Sequence, residues 1–497
     1  MPLPQALYYA AQIHAADRRA IAQGMGAAEL MERAGQAAFL LLRRRWPRAR
    51  RIAVVCGPGN NDGDGYVVAR RAHEAGLIPV VLRSNEGRLA VGDAGIAAQR
   101  LAAASIEAQP FSAAALQGCD VIVDGVFGIG LTRAVSGQAQ AMIAAMNSSG
   151  LPQLALDVPS GLHADTGCVL GIAVQATATL TFIGLKPGLF TGAGREYAGE
   201  LYFDDLNLPA AVFQDVAPPA LRITAPDMHG LVPRRARHSH KGDAGRVLLV
   251  GGAPGMGGAL RLAGVAALRT GAGRVTLATH ALHAPHLSCD CPELMVHGIA
   301  AAQELRSLIT PAVVIAAGPG LGQDPWAQNL WAALLESPQL GVVDADALNL
   351  LAHDPVRRDD WILTPHVGEA ARLLACTIED IQHDRISAAR NIAARYGGVC
   401  VLKGAGTLIA QHGAGPVWLC DRGNPGLACA GSGDVLTGVI AALRAQGLNP
   451  LDTARLGVWL HASAGDKAAQ AGEIGMLASD LFPYLRAGIN EMTDPCM

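Results

Sequence analysis

Long apolar runs, a secretory start and a large net charge are all missing from this 497-residue sequence. No apolar run reaches the roughly 18 residues that a membrane-spanning helix needs, so we expect no membrane segment. The N-terminus has no basic start followed by an apolar core, which argues against a secretory signal. A formal net charge of −3 gives no bulk attraction to nucleic acid or to a membrane surface. These absences predict a cytoplasmic protein without a nucleic-acid or membrane partner.

Clustered cysteines are also absent. The ten cysteines are scattered, no CxxC pair occurs, and "CDC" at 289–291 is the only close pair in the sequence. A structural zinc site of the usual kind needs two such pairs at suitable spacing. Reduced thiols of a cytosolic protein are therefore the simpler interpretation.

Lysine is scarce, since only four of the 39 lysine and arginine residues are lysines. Arginine is thus the usual surface cation, and each lysine invites attention. Lys241 and Lys403 lie in glycine-rich stretches, and the alternative is that both are accidents of the surface. The other two are Lys186 and Lys467.

Glycine, by contrast, is abundant at 59 residues, beside a hydrophobic fraction of 51%. That composition suits α/β folds in which glycines end the strands. The stretch "GNPGLACAGSGDVLTG" (423–438) places several glycines around Asp434. Backbone N–H groups that open a helix bind anions, and a carboxylate there would repel phosphate unless it had a chemical role. The stretch therefore predicts a phosphoryl-transfer site with Asp434 as its base.

The first half of the chain alternates short apolar strands with amphipathic helices, which predicts a parallel sheet built from βαβ units. Strand patterns restart in the second half, which we interpret as a second and larger α/β unit. The length is enough for two to four domains. Between the halves, residues 209–245 are rich in proline and basic residues, and we interpret them as a linker entering a second domain. We find no repeat between the halves.

Three polar clusters follow strands of the first half, where parallel sheets bind their ligands. They are "GNNDGDG", "DGVFGIGLTR" with Asp124, and "DVPSG". Oxygen ligands from Asn61, Asp124 and Ser160 would suit a hard cation, and Asp157 could serve as an acid or base. Neither G-x-G-x-x-G nor a Walker GK[ST] occurs in these clusters, and each cluster could instead be a tight turn.

With "ELMERAG" (29–35), these clusters resemble the NAD(P)H-hydrate epimerase family, whose loop is typically NNGGDG. The resemblance implies a Rossmann-like three-layer α/β domain, here 1–220, with K⁺ held by Asn61, Asp124 and Ser160. Asp62 stands where glycine is usual, and its charge beside a pyrophosphate would weaken substrate binding. The residues implied to contact the hydrated dinucleotide are Asn60, Asn61, Asp62, Gly63, Asp64, Gly128, Ile129, Gly130, Leu131, Thr132, Arg133, Ala134 and Asp157.

In the second half, "GGAPGMGGA", "GPGLG", "DADALN", "TPHVGE" and "LKGAGT" precede "GSGD". The set resembles the ribokinase-like superfamily, and within it the ADP-dependent NAD(P)H-hydrate dehydratases. The resemblance implies a ribokinase-like α/β domain, here 221–497, in which Asp434 deprotonates the hydroxyl that receives a phosphoryl group. The residues implied to bind ADP are Lys403, Gly404, Ala405, Gly406, Thr407 and Gly433, and those implied to contact the hydrated dinucleotide are Ala253, Gly322, His366 and Asp434.

Together the two resemblances imply a bifunctional enzyme that repairs hydrated NADH and NADPH. The first domain would interconvert the R and S hydrates, and the second would dehydrate the S hydrate with ADP, giving NAD(P)H, AMP and phosphate. We expect Mg²⁺ to accompany ADP and the chain to form a homo-oligomer, with no nucleic-acid or membrane partner. The alternatives are a small-molecule kinase of the ribokinase-like class, and a first half that only binds its ligand or acts through protein partners.

Overall fold

The computed structural model describes residues 3–84, 92–413 and 415–493. It divides the chain into two compact units, Met1–Ala220 and Leu221–Met497, and each is described by itself. Within the described residues, no helix combines the length and the apolar character that crossing a bilayer requires.

Among its described residues, the first unit contains eight strands and six α-helices, with short 3₁₀ helices at Ala113–Leu116, Pro187–Leu189 and Ala210–Phe213. Its strands are β1 (Ala6–Leu7), β2 (Arg51–Cys56), β3 (Ile78–Arg83), β4 (Ala108–Pro110), β5 (Val121–Gly125), β6 (Gln153–Leu156), β7 (Ala178–Phe182) and β8 (Glu200–Asp204). Its helices are α1 (Ala10–Ala22), α2 (Ala27–Arg45), α3 (Asn61–Glu74), α4 (Gly92–Ala103), α5 (Gly137–Ser148) and α6 (Gly194–Tyr197).

Strands β2 to β8 form one sheet in the order β4-β3-β2-β5-β6-β7-β8, and all neighbours run parallel. Alternate residues of β2 enter two different cores, since Ile52 and Val54 pack with α1 to α4 and Ala53 and Val55 pack with α5. Alternation of this kind follows from the pleat, which sends successive side chains to opposite faces. The unit is therefore a three-layer α/β domain.

The second unit has strands β9 to β18, in the order β9-β18-β17-β16-β15-β14-β13-β10-β11-β12. The part from β16 to β12 is parallel, while β17 runs antiparallel to both β16 and β18. The sheet is therefore mixed. Its strands are β9 (Ala220–Arg222), β10 (Arg246–Val250), β11 (Arg274–His280), β12 (Met295–Ile299), β13 (Val314–Ala317), β14 (Leu340–Val343), β15 (Ile362–Leu363), β16 (Val399–Leu402), β17 (Thr407–Gln411) and β18 (Val417–Cys420).

One core of this unit joins Val247 and Leu249 of β10 to its helices α8, α15, α16 and α17. Short 3₁₀ helices lie at Pro425–Leu427, Ala469–Ala471 and Ala478–Leu481. The helices are α7 (Ala225–Met228), α8 (Gly257–Arg269), α9 (Ala302–Ile309), α10 (Pro325–Leu335), α11 (Ala345–His353), α12 (Val367–Leu374), α13 (Ile378–His383), α14 (Arg385–Tyr396), α15 (Ser432–Ala445), α16 (Pro450–Ala468) and α17 (Phe482–Met492).

The stretch 209–245 is not the plain linker that its composition suggested. It contains β9 and α7, and the side chains of Thr224 and Asp227 form a capping box at the start of α7. Ile223 and Met228 are buried in the core of the second unit. Burying these apolar side chains outweighs the local preference of a proline-rich sequence for extended, exposed chain.

The strand order of each sheet reverses at one point, and that point is where α/β proteins bind their ligands. In the first unit the chain runs outward from β2 to β4 and then returns to add β5 on the other side of β2. In the second unit the same reversal separates β10 from β13. The fold class predicted from the sequence, two successive α/β domains, is confirmed.

Candidate functional site

The loops after β2, β5 and β6 of the first unit line a cavity of about 820 Å³ beside the strand-order reversal. Most of the residues expected to contact substrate are found there, while Asp62, Gly63 and Ala134 do not line the cavity. Helices α1 and α2 supply the opposite wall, including Asp17 and Met31. The expected residues that do line it are Asn60, Asn61, Asp64, Gly128, Ile129, Gly130, Leu131, Thr132, Arg133 and Asp157.

The three expected cation ligands lie close together, since the side chains of Asn61 and Ser160 both hydrogen-bond the carbonyl of Phe127. Ser160 donates its hydroxyl to Asp124 Oδ1 at 2.6 Å and its backbone N–H to Asp124 Oδ2 at 2.8 Å. The amide of Asn61 donates to the carbonyls of Phe127 at 3.2 Å and Leu156 at 3.4 Å. Burial raises the pKa of Asp124 to about 6, against the hydrogen bonds from Ser160 that lower it. A hard cation would offset the free-energy cost of keeping this buried carboxylate charged, and oxygen atoms are the ligands that hard cations prefer.

The loop after β2 is tightly packed around Asp62, the residue that stands where glycine is usual. Asp62 is buried, and burial raises its pKa to about 7, so the expected repulsion of a pyrophosphate is reduced. A Cβ on Gly63 would lie 2.4 Å from Met31 Sδ, so glycine here serves helix packing. Asp64 does line the cavity, and burial with the nearby charges of Asp157 and Asp62 raises its pKa well above the ordinary value.

Asp157 begins the loop after β6 with a left-handed φ of 67°. Such strain in a non-glycine residue persists only where the surroundings fix it, and it is common at active sites. The surroundings here include Lys186, which is fully buried and forms an ion pair with the Asp157 carboxylate. Sequence reasoning missed Lys186 as a site residue, although the scarcity of lysine was a signal that pointed to it.

The second site begins where α15 opens. Gly431 caps the helix with φ 88°, and a Cβ there would lie 2.3 Å from Leu262 Cδ1, so only glycine fits. The first N–H groups of a helix have no acceptor inside it and are available to an anion. A Cβ added to Gly433 would lie 3.3 Å from Lys403 Nζ, which places the ammonium group beside this turn.

A buried carboxylate, Asp344, holds Lys403 in this position. Asp344 Oδ1 lies 2.9 Å from Lys403 Nζ, and Asp344 also accepts hydrogen bonds from Thr437 at 2.6 Å and Thr364 at 2.8 Å. Burial by itself raises the pKa of Asp344, but the Lys403 charge and these hydrogen bonds bring it below its ordinary value. Burial likewise opposes the charge of Lys403, while Asp344 and Glu369 raise the Lys403 pKa. Lys403 is therefore a fixed cation.

Asp434 occupies the first turn of α15 beside these groups. Burial first, and then the carboxylate of Asp344, raise the pKa of Asp434 to about 7, against the Lys403 charge that lowers it. Within residues 3–84, 92–413 and 415–493, no group hydrogen-bonds the Asp434 carboxylate. An unengaged carboxyl group that titrates near neutrality, beside an anion site, is suited to accept a proton.

The predicted substrate residues of this unit also converge. Gly322, with φ 76°, donates its N–H to Asp346 at 2.8 Å, and a Cβ on it would lie 3.4 Å from Ala253 Cβ. His366 caps α12, since its Nδ1 accepts N–H groups of Gly368 at 2.9 Å and Glu369 at 3.2 Å. Burial first, and then the Lys403 charge, lower the pKa of His366. The histidine therefore faces this site as a neutral group.

The predicted ADP segment, 403–407, joins antiparallel β16 and β17. Gly404 has φ 142° and Gly406 φ 66°, and Gly404 and Ala405 are exposed. Behind the turn lies buried Arg385, whose guanidinium would stand 2.9 Å from a Cβ on Gly404. The segment thus presents backbone to solvent next to the Lys403 ammonium, a suitable setting for phosphate.

Several residues that contact this site were not predicted from the sequence to be functional. Asp344 and Glu369 lie in stretches that we had noted as polar clusters, but neither was assigned a role. His461 is a further case, because its Nε2 lies 2.9 Å from the carbonyl oxygen of Ser432 on the turn that opens α15. A cavity of about 1370 Å³ in this unit is lined by other residues, among them Arg261 and Phe482.

These features define an α/β protein with two candidate sites, one at the anion-binding turn that opens α15 and the other beside the oxygen-rich cluster of the first unit. Two family models match it, "NAD(P)H-hydrate dehydratase" over residues 247–486 and "YjeF-related protein N-terminus" over residues 27–188. The bifunctional NAD(P)H-hydrate repair enzyme Nnr of Coxiella burnetii is 46% identical over 485 residues, which are 97% of this chain and 99% of that protein. The Escherichia coli enzyme of the same name is 42% identical over 496 residues, 99% and 96% of the two chains.

The chain belongs to the family of bifunctional NAD(P)H-hydrate repair enzymes. The predicted combination of an NAD(P)H-hydrate epimerase with a dehydratase is thereby confirmed, and the full-length match disfavours the plain kinase. Among solved structures, a ribokinase-like superfamily protein from Enterococcus faecalis is 30% identical, with a TM-score of 0.52. The alignment covers 56% of this chain and 98% of that one.

Proposed function

We propose that the cavity of the first unit interconverts the R and S hydrates of NADH and NADPH, and that the Asp434 site dehydrates the S hydrate with ADP. The observation that carries the proposal is Asp434, an unengaged carboxyl group with a pKa raised to about 7 at the mouth of a helix-opening anion site. The chain would then return both epimers to the usable dinucleotide. The expectation that it forms a homo-oligomer stays a prediction.

In the second site, Asp434 takes the proton of the substrate hydroxyl as that oxygen attacks the terminal phosphorus of ADP. The N–H groups that open α15, with Lys403 beside Gly433, stabilise the charge on the transferred group. The ring nitrogen of the hydrate then expels phosphate instead of hydroxide, which is the poorer leaving group. Loss of a ring proton restores the diene, so the products are NAD(P)H, AMP and phosphate.

The nucleotide lies on the 403–407 turn in this proposal, and Mg²⁺ supplies extra neutralisation of phosphate charge when bound. Within the described residues, no group of three or more His, Cys, Asp or Glu side chains is arranged to hold a metal ion. Mg²⁺ commonly keeps several waters and binds substrate phosphates, so few protein ligands are needed.

In the first site, Asp157 transfers the proton that accompanies loss and return of water at the same ring carbon. K⁺ fits the oxygen cluster of Asn61, Asp124 and Ser160, since these atoms are hard donors and Asp124 is fully buried. When bound, K⁺ supplies positive charge near the loops that would hold the pyrophosphate.

The proposal is tested by incubating the protein with separated R and S hydrates and each nucleotide. We expect repair with ADP and little or none with ATP, and AMP should accumulate one for one with restored dinucleotide. The absorbance of the reduced dinucleotide and chromatography of the nucleotides measure both. Rates with ATP that equal or exceed those with ADP would contradict the donor assignment, and a stable phosphorylated product would favour a kinase.

The pH dependence of the second site follows from Asp434. Below a pKa of about 7 the group is protonated and cannot accept a proton, so dehydration of the S hydrate should speed up as pH rises through about 7. Initial rates at saturating ADP between about pH 6 and 8 measure this. The Asp434→Asn protein is the control, whose residual rate should lack that rise. A wild-type rate that is flat or falls across this range would argue against Asp434 as the base.

A further inference from the structure

Lys186 is the one fully buried lysine side chain in the described part of the chain, and all three of its ammonium protons have acceptors. They are Asp157 Oδ1, the hydroxyl of Thr181 at 3.0 Å and the carbonyl of Phe182 at 2.8 Å. The residues that follow Lys186, 187–190, are buried as well. Lys186 is therefore a fixed cation whose protons are all engaged.

The two oxygens of Asp157 differ because of this arrangement. Oδ1 accepts from Lys186, from Thr181 at 3.0 Å and from the N–H of Phe182 at 3.1 Å, which leaves no room for a fourth donor. Within the described residues Oδ2 has no hydrogen-bond partner, and Asp157 lines the cavity. One oxygen is thus anchored in the protein, and the other is available to a molecule in the cavity.

The charges around Asp157 explain why a buried cation belongs there. Asp64 and Asp17 also line the cavity, and burial raises the pKa of each, with Asp157 contributing to both shifts. A third negative charge among these carboxyl groups would be costly without a counter-charge. Lys186 is close enough to act on Asp17 as well as on Asp157.

We propose that Lys186 is a positioning residue of the first site: it anchors Asp157 Oδ1 so that Oδ2 exchanges the proton of the departing and returning water. Oδ2 first takes up a proton from solvent and then gives it to the ring hydroxyl, so that water leaves and the Asp157 carboxylate remains beside the Lys186 ammonium. When water returns to the other face, Oδ2 takes the proton back, so atoms and charge balance. This inference rests on the proposed function of the first site.

Lys186→Met removes the charge and keeps most of the side-chain volume. We expect the kcat of epimerisation to fall on the order of 10²-fold, as when a reacting group is no longer held in place. KM should stay within about two-fold, since the lysine is buried and does not meet substrate. Lys186→Arg, which keeps the charge, should retain more activity than Lys186→Met. Lys467→Met, at a half-buried lysine of the other unit that pairs with Glu491, is the matched control and should not change epimerisation.

A double-mutant cycle separates positioning from a merely structural role. If Lys186 acts only through Asp157, then Lys186→Met should cost nothing further in an Asp157→Asn protein. That double variant also removes both charges of the buried pair, so it should melt above Lys186→Met alone. If Lys186→Met does not fold at the assay temperature, Lys186→Gln, whose amide can still donate to Oδ1, completes the cycle.

The outcomes are distinct. Near-normal epimerisation by a folded Lys186→Met protein would overturn the role of Lys186 and leave that of Asp157 standing. Equal losses from Lys186→Met in the wild type and in Asp157→Asn would do the same. Retained epimerisation in Asp157→Asn would overturn the proposed function of Asp157 and the role of Lys186 together. A loss that appears wholly in KM would show that Lys186 serves binding instead of proton transfer.

Discussion

Asp434→Asn should lower ADP-dependent dehydration of the S hydrate by a factor on the order of 10²–10⁴, the usual cost of losing a general base. The amide keeps the size of the side chain but cannot take the hydroxyl proton. Nucleotide should still bind, because the anion site of α15 and Lys403 remain and a negative charge has been removed. The measurement is the single-turnover rate with saturating ADP, together with ADP affinity by calorimetry.

The matched control is Asp157→Asn, the same chemical change in the other unit, which should leave this rate unchanged. Since burial disfavours the charged form of Asp434, the Asn variant should also melt no lower than the wild type above neutral pH. Retained near-wild-type dehydration in a folded Asp434→Asn protein would refute the base assignment. Loss of ADP binding would instead show that the carboxylate shapes the nucleotide site.

Several strands with continuous apolar runs were predicted from the sequence, although β18 was not. β2 and β3 are examples, since each is a short run of β-formers ended by a turn. β12 and β8 were missed, and both have largely exposed or half-buried residues at an edge of their sheet. Edge strands need no continuous apolar run, so the pattern that reveals central strands is weak in them.

The site residues divide in a similar way. Asp434 and Asp157 lie inside local motifs, so a glycine pattern or a strand end was enough to single them out. Asp344 pairs with Lys403, which lies 59 residues further along the chain. Lys186 pairs with Asp157, which lies 29 residues before it. Such pairs form because separate strands bring their ends together at one edge of the sheet, and that depends on strand order, which local spacing does not encode.

The two sites should be separable by single substitutions, and this has the largest effect on the overall reaction. Asp157→Asn should leave ADP-dependent repair of the S hydrate intact and strand the R hydrate, apart from slow spontaneous inversion. Asp434→Asn should do the reverse, so that R and S interconvert but no reduced dinucleotide returns. Time courses with each epimer, with melting temperatures as the folding check, measure both. Unchanged R-hydrate repair by Asp157→Asn would contradict the role of Asp157. Wild-type repair of the R hydrate that is no faster than spontaneous inversion would favour a first unit that only binds its ligand.

Mixing the two variants extends this test to the passage of substrate between sites. Each unit carries its own complete set of candidate residues. The first unit has Asp157, Lys186 and the expected K⁺ ligands, and the second unit has Asp434 and Lys403. The hydrate is a diffusible small molecule, so a substrate turned over by the intact first site of one chain can reach the intact second site of another. The mixture should therefore repair both epimers, at a rate that grows with the concentration of either variant. A mixture that repairs only the S hydrate, with both single variants behaving as expected, would mean that the hydrate passes directly between sites of the same chain.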